Sequence, residues 1–287
     1  VEATEILKRV RKIEIKTRGL SNQVFAGEYH SAFKGRGIAF SEVREYQYGD
    51  EIRTIDWNVT ARFNHPYVKV FEEERELTVM LLIDVSGSRE FGSVNLLKKN
   101  VITEISAVLS FSAIQNNDKI GVIFFTDRVE KFIPPQKGRK HILRIIRELI
   151  DFTPESRKTD LTEPLRFLTN ALKKRCIAFV ISDFIAPDFE EAIRIANNKH
   201  DVVALKIYDR RESEIPAIGL VKMKDSETGK DLLIDSSNRA TREMYHRWWR
   251  ETEARTNEIF SKCGIDSTAV RTDEDYVKPL LNLFKKR

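Results

Sequence analysis

The chain reads as an α/β protein of the Rossmann type, a mostly parallel sheet flanked by helices, preceded by a small β-rich unit. Three observations predict this. From residue 77 onward, apolar runs recur without polar alternation, as strands buried on both faces require. Amphipathic helical patterns alternate with those runs, which is the order of βα units. Two of the runs end abruptly in polar residues, LTVMLLIDVSGS at Asp84, Ser86 and Ser88, and CIAFVISD at Ser182 and Asp183. In open α/β sheets, ligands bind at the carboxyl ends of strands.

Taken in order, a charged amphipathic pattern over residues 5–15 predicts a starting helix. The rest of the first 76 residues, with Gly35-Arg36-Gly37, Gly49-Asp50 and many charged and aromatic residues, suits short strands and turns. This defines an expected unit over residues 1–76, packed near the sheet edge, and an α/β unit over 77–287. Residues 94–115 read as a helix; 119–125 and 129–133 flank a short turn and read as a hairpin, so one sheet edge is antiparallel. Residues 137–151 form a second helix and 162–174 a third, with Thr162 as its N-cap and Pro164 in the first turn, where a missing donor costs nothing. A strand over 176–183, a helix over 189–199 and a strand over 202–208 follow. Next come a polar loop and a hairpin turning at 225–230. A long helix over 238–263 carries Trp248 and Trp249, adjacent residues that cannot both face the core. A strand over 265–271 and a helix from Asp275 close the pattern.

Composition excludes several classes. Hydrophobic residues make up 41% and charged residues 32% of 287, an ordinary globular balance that needs no stapling. The net charge of +5 is a small difference between 49 basic and 44 acidic residues, which describes a solvated surface rather than a nucleic-acid-binding face. Two cysteines far apart, Cys176 and Cys263, argue against a disulfide framework and for a reducing compartment. No apolar stretch approaches a membrane span, and the first 19 residues are not a signal peptide, so a cytoplasmic location with no transmembrane segment is expected.

Chemistry concentrates at the strand ends. Asp84, Ser86 and Ser88 form a D-x-S-x-S loop, Thr159 precedes the third helix, and Asp183 ends another buried strand. If the two strands run parallel, both aspartates leave the same sheet edge and three loops converge. Hard oxygen donors of this kind suit Mg²⁺, with Mn²⁺ as a substitute. Two aspartates only neutralise the ion formally, so a carboxylate from a partner protein is still attracted. The bland alternative is a turn in which Ser and Asp cap backbone donors.

Asp84, Ser86, Ser88, Thr159 and Asp183 resemble, residue by residue, the metal-ion-dependent adhesion site of the von Willebrand factor A domain. The run from Gly35 to Ser88, GRGIAFSEVREYQYGDEIRTIDWNVTARFNHPYVKVFEEERELTVMLLIDVSGS, is similar to the signature of the bacterial domain of unknown function 58 family. That resemblance implies a von Willebrand A-like domain and a partner or co-chaperone role beside MoxR-type AAA+ ATPases. The expected function is therefore a non-enzymatic, Mg²⁺-dependent protein-interaction module. One alternative is a metal-dependent phosphohydrolase with Asp84 as nucleophile, although Ser86 stands where such chemistry wants a second carboxylate. Another is a structural adaptor with an empty metal site. The signature residues Arg36, Glu42, Arg44, Asp50, Arg53, Asp56, Trp57 and Arg62 read as a salt-bridged scaffold holding the small unit to the large one, with a docking surface as the alternative. Glu72, Glu73, Glu74 and Glu76 read as a solvated acidic segment.

Overall fold

The computed structural model describes residues 11, 13, 38–73, 76–91, 97–225 and 229–287. Arg11 and Ile13 are helical; the rest of the helix expected over 5–15, together with Arg36 and Glu74, lies outside the described residues. Strands β1 (Ile38–Glu45) and β2 (Tyr67–Glu73) pair antiparallel as a small two-stranded sheet. Between them sits the short helix α1 (Trp57–Phe63), held at its start by Asp56, whose carboxylate accepts the N–H groups of Asn58 and Val59. It stops at Asn64, which takes the left-handed conformation at φ 55°.

The main sheet contains β3 (Thr78–Asp84), β4 (Lys119–Phe125), β5 (Val129–Gln136), β6 (Ile177–Ser182), β7 (Asp201–Tyr208) and β10 (Asp266–Arg271). Their order is β10-β7-β6-β3-β4-β5, with β5 alone antiparallel at one edge. The hairpin expected from residues 119–133 is that edge. A separate antiparallel hairpin, β8 (Leu220–Lys224) with β9 (Asp231–Asp235), leaves the chain between β7 and the long helix. The architecture is an α/β fold, a mostly parallel six-stranded sheet flanked by helices, with a small two-stranded sheet before it.

Alternation along β3 assigns the two faces. Val79, Leu81 and Ile83 meet α2 (Lys98–Gln115), α3 (Arg139–Asp151) and α8 (Val277–Lys286). Met80 and Leu82 meet α4 (Thr162–Ala171), α5 (Glu190–Lys199) and α7 (Arg239–Lys262). All five of these β3 side chains are fully buried, and each such burial stabilises by about 1.5–3 kcal/mol. A strand clamped so firmly presents a fixed end. Close packing also demands Gly121 in β4, where a Cβ would stand 2.7 Å from Met80 Sδ and 2.9 Å from the Ile133 carbonyl oxygen.

One expectation needs correcting by a residue. Thr162 is the first residue of α4 rather than its cap; Leu161 holds the cap position, and Asp160 Oδ1 accepts the Thr162 N–H at 2.7 Å. Pro164 lies in the first turn of α4, as the sequence predicts.

The site follows from topology. After β3 the chain crosses to β4 through α2 on one face; after β6 it crosses to β7 through α5 on the other. The adjacent pair β3 and β6 is therefore a switch point, where departing connections leave a crevice above the strand ends.

Candidate metal centre

Asp84 is the last residue of β3 and Asp183 follows β6, so parallel pairing of the two strands brings both carboxylates to one rim. Both are buried, at 3% and 5% exposure. Asp84 Oδ1 accepts the N–H of Ser86 at 2.9 Å, and its Oδ2 accepts the Ser182 hydroxyl at 2.6 Å. Ser86 Oγ lies 3.2 Å from Ser88 Oγ. Asp183 Oδ1 accepts the Ile185 N–H at 3.1 Å, and Ser88 also hydrogen-bonds this carboxylate. Four of the five expected ligands thus form one hydrogen-bonded group.

Thr159 arrives separately. It is buried in the loop between α3 and α4, and its neighbours anchor that loop to the rim. The Arg157 carbonyl accepts the Gly87 N–H at 3.1 Å, and the Thr126 carbonyl accepts the Asp160 N–H at 3.1 Å. Among the described residues, no hydrogen bond joins Thr159 to the other four side chains. Arg89, buried beside the motif, donates through Nη2 to the Phe152 carbonyl and so ties the D-x-S-x-S turn to the start of the same loop.

Electrostatics set the two aspartates apart. Burial, reinforced by the charge of Asp183, pushes the Asp84 carboxyl up to about 6. Burial opposes the charge of Asp183 too, but the Lys98 ammonium, the Ile185 N–H and the Ser88 hydroxyl hold its carboxyl below the usual range. Lys98, 1% exposed at the start of α2, reaches Asp183 Oδ2 at 3.0 Å and Glu212 Oε1 at 2.5 Å. Glu212 belongs to the short helix α6 (Arg210–Ser213) after β7, where it completes a capping box by accepting the Asp209 N–H at 2.8 Å.

Lys98, Glu212 and Arg89 are missing from the sequence-derived set. One signal for Lys98 was present: helical spacing places it on the face of Val101, Ile102 and Ile105, all buried. A lysine on that face must find a carboxylate inside.

The donor set fits a hard divalent cation. Two neighbouring buried carboxylates and three hydroxyl-bearing residues on converging loops offer oxygen alone. Among the described residues no group of three His, Cys, Asp or Glu side chains is placed to hold a metal, so the candidate set rests on two carboxylates supplemented by hydroxyls.

Beside the Asp183 loop the backbone is strained. Phe184 has φ 58°, a left-handed conformation that bulky residues avoid, and its ring is fixed against Phe260 at 5.0 Å and Phe189 at 6.0 Å. A groove of about 210 Å³ opens there, lined by Phe184, Ile185, Phe189, Trp248 and Arg255 among others. Trp248 is half-exposed at 44% while Trp249 is buried at 4%, the division expected of adjacent helical residues. The N-terminal signature builds a local network: Arg44 forms a bidentate pair with Asp50 at 2.7 Å, and Lys69 approaches Asp56 at 3.4 Å. Trp57 remains exposed. No helix among the described residues is long and apolar enough to cross a membrane.

A family model described as "Protein of unknown function DUF58" matches residues 42–255. An uncharacterised protein of Mycobacterium tuberculosis is 26% identical over 292 aligned residues, covering 100% of this chain and 91% of the relative. Among solved structures, the conserved hypothetical protein BatB from Bacteroides thetaiotaomicron superposes with a TM-score of 0.50 at 18% identity, covering 73% of this chain and 98% of that one. The SpRpn10 VWA domain aligns with a TM-score of 0.39 at 10% identity, over 74% of this chain and 95% of that domain. At such identities the likeness concerns the fold alone.

Proposed function

We propose, since this chain belongs to the DUF58 family of proteins of unknown function, that it is a non-enzymatic, Mg²⁺-dependent protein-interaction module. One observation carries this reading: Asp84, Ser86, Ser88 and Asp183 form a single hydrogen-bonded group at the ends of two adjacent parallel strands. With Thr159, these residues would hold Mg²⁺ or Mn²⁺. When bound, the ion supplies positive charge for a carboxylate from a partner protein.

The chain's own residues prepare that site. Ser86 and Ser182 fix the Asp84 carboxylate, Ile185 and Ser88 fix that of Asp183, and burial excludes water from both. The partner favoured, on the strength of the family resemblance, is a MoxR-type AAA+ ATPase or its client; the cytoplasmic location proposed for the encounter rests on the scarcity of cysteines. Phosphohydrolase chemistry is disfavoured because Ser86 occupies the position where it wants a second carboxylate. A structural adaptor without metal is the second reading, favoured by the Lys98 ammonium already paired with Asp183.

The test is capture of a cognate MoxR-type ATPase by immobilised protein in Mg²⁺, in chelator, and with Asp84→Ala. Capture only by the unaltered protein in Mg²⁺ supports the reading. Equal capture in all three conditions removes the metal from it.

A further inference from the structure

Lys98 is the feature that the metal reading leaves unexplained. A lysine is rarely buried completely, and here its ammonium lies between Asp183 Oδ2 at 3.0 Å and Glu212 Oε1 at 2.5 Å. One of these carboxylates is an expected metal ligand and the other is not. A cation that binds Asp183 must share it with a charge already in contact with it.

Glu212 is built to receive that charge. Its Oε2 accepts the Asp209 N–H, its own carbonyl accepts the Tyr245 hydroxyl at 2.8 Å, and Asp209 is pinned by the Arg211 N–H and the Thr272 hydroxyl. The carboxylate is thus fixed in position by α6 and by Tyr245 on α7. Asp84, Asp183 and Glu212 with Lys98 amount to three carboxylates and one ammonium, a formal charge of −2 that one divalent ion balances. Arg89, buried beside this group, also acts on Asp84, and its partner Glu90 is mostly exposed; that pair is the same in every variant below and so does not enter the differences between them. Without Glu212, Lys98 would turn wholly to Asp183 and the group would hold one negative charge.

We propose that Lys98 is a tethered cation competing with the metal for Asp183, and that Glu212 is the positioning residue that holds it off, the pair together setting the metal affinity of the site. This rests on the metal reading above and adds the residues that tune it. Lys98→Met removes the competitor and leaves a formal −3; Glu212→Gln removes the counter-charge and leaves −1; the double substitution restores −2. The affinities should therefore move in opposite directions in the single variants and return in the double one.

The experiment is calorimetric titration of Mg²⁺, repeated with Mn²⁺, into the full chain and the three variants, with thermal melts in chelator and in metal. Lys98→Met should bind about tenfold tighter or more, and Glu212→Gln about tenfold weaker or more. The double variant should lie near the unaltered protein. A purely structural role for the pair would lower the chelator melting temperature without producing opposite shifts in affinity. If Lys98→Met fails to fold in chelator, the Glu212→Gln and double variants still decide the matter, because weakening followed by recovery is the required pattern.

Shifts of the same sign, or unchanged affinities, overturn the proposal while leaving the metal site standing. Metal binding by Lys98→Met alone upholds Lys98 as the competitor and refutes a resident ion in the natural protein. Silence in all four proteins overturns both.

Discussion

Replacing Asp84 by Asn should make the metal-free protein more stable at pH 8 and less stable at pH 4. The buried carboxyl of Asp84 is pushed from 3.8 up to about 6, first by burial and then by the charge of Asp183. The folded protein therefore keeps this proton to a higher pH than the unfolded chain does. Its contribution to stability is full below pH 3.8 and is lost as pH rises through 6. By pH 8 the loss amounts to about 3 kcal/mol. Asn removes that charge but not every bond. Its amide oxygen can still accept the Ser86 N–H, while its amide nitrogen must donate to Ser182 Oγ, which now donates to Asp84. The stranded Ser182 hydroxyl costs about 1 kcal/mol. In chelator, urea unfolding followed by tryptophan fluorescence should show Asp84→Asn about 2 kcal/mol more stable at pH 8 and about 0.5 kcal/mol less stable at pH 4, where the unaltered protein has begun to lose the Asp84 contribution. With Mg²⁺ added at pH 8, only the unaltered protein should gain stability, because only it retains both carboxylates. A variant less stable by the same amount at both pH values would refute the reasoning, since Asp84 would then carry no burial penalty.

Three other outcomes follow from the same structure. His200, fully buried beside Cys176, has its pKa lowered to about 4 by burial and then by Lys199 and Arg175, so the stability it gives above pH 6.5 is lost as pH falls through 4; His200→Asn should flatten the acid limb by up to about 3 kcal/mol, and coincident limbs would contradict this. Gly121→Ala should cost about 1–3 kcal/mol by equilibrium unfolding, because the new methyl meets β5 backbone; a change under about 0.5 kcal/mol would show that β5 yields freely. Burial pushes the Cys176 thiol up to about 12, so alkylation of the folded protein at pH 8, read by peptide mass spectrometry, should modify Cys263 and spare Cys176; equal labelling would place Cys176 at the surface.

Much of the fold was legible because its sheet is covered on both faces. Strands β3 and β6 must be apolar throughout, so their abrupt polar ends mark where the chain emerges, and Asp84 and Asp183 stand out without any knowledge of the partner strand. The antiparallel edge was legible from the short turn between Phe125 and Val129. The boundary at Thr162 was misplaced by one residue because Asp160 and Thr162 are both able to cap, and only the backbone decides between them. Lys98 and Glu212 escaped for a different reason. Each has an adequate local explanation, a charged helix start and a capping box, and their meeting depends on packing α2 against the loop after β7. The apolar face around Lys98 marks it as a buried charge in need of a carboxylate, but nothing in either segment names Glu212 as the partner.

The decisive measurement is anomalous diffraction from crystals grown with Mn²⁺. The expected result is a single strong peak in the crevice above β3 and β6, within direct coordination distance, about 2.0–2.3 Å, of oxygens from Asp84, Ser86, Ser88, Thr159 or Asp183. A crevice without a peak at saturating Mn²⁺, with Lys98 still resting on Asp183, would contradict the metal centre on which the proposed function stands.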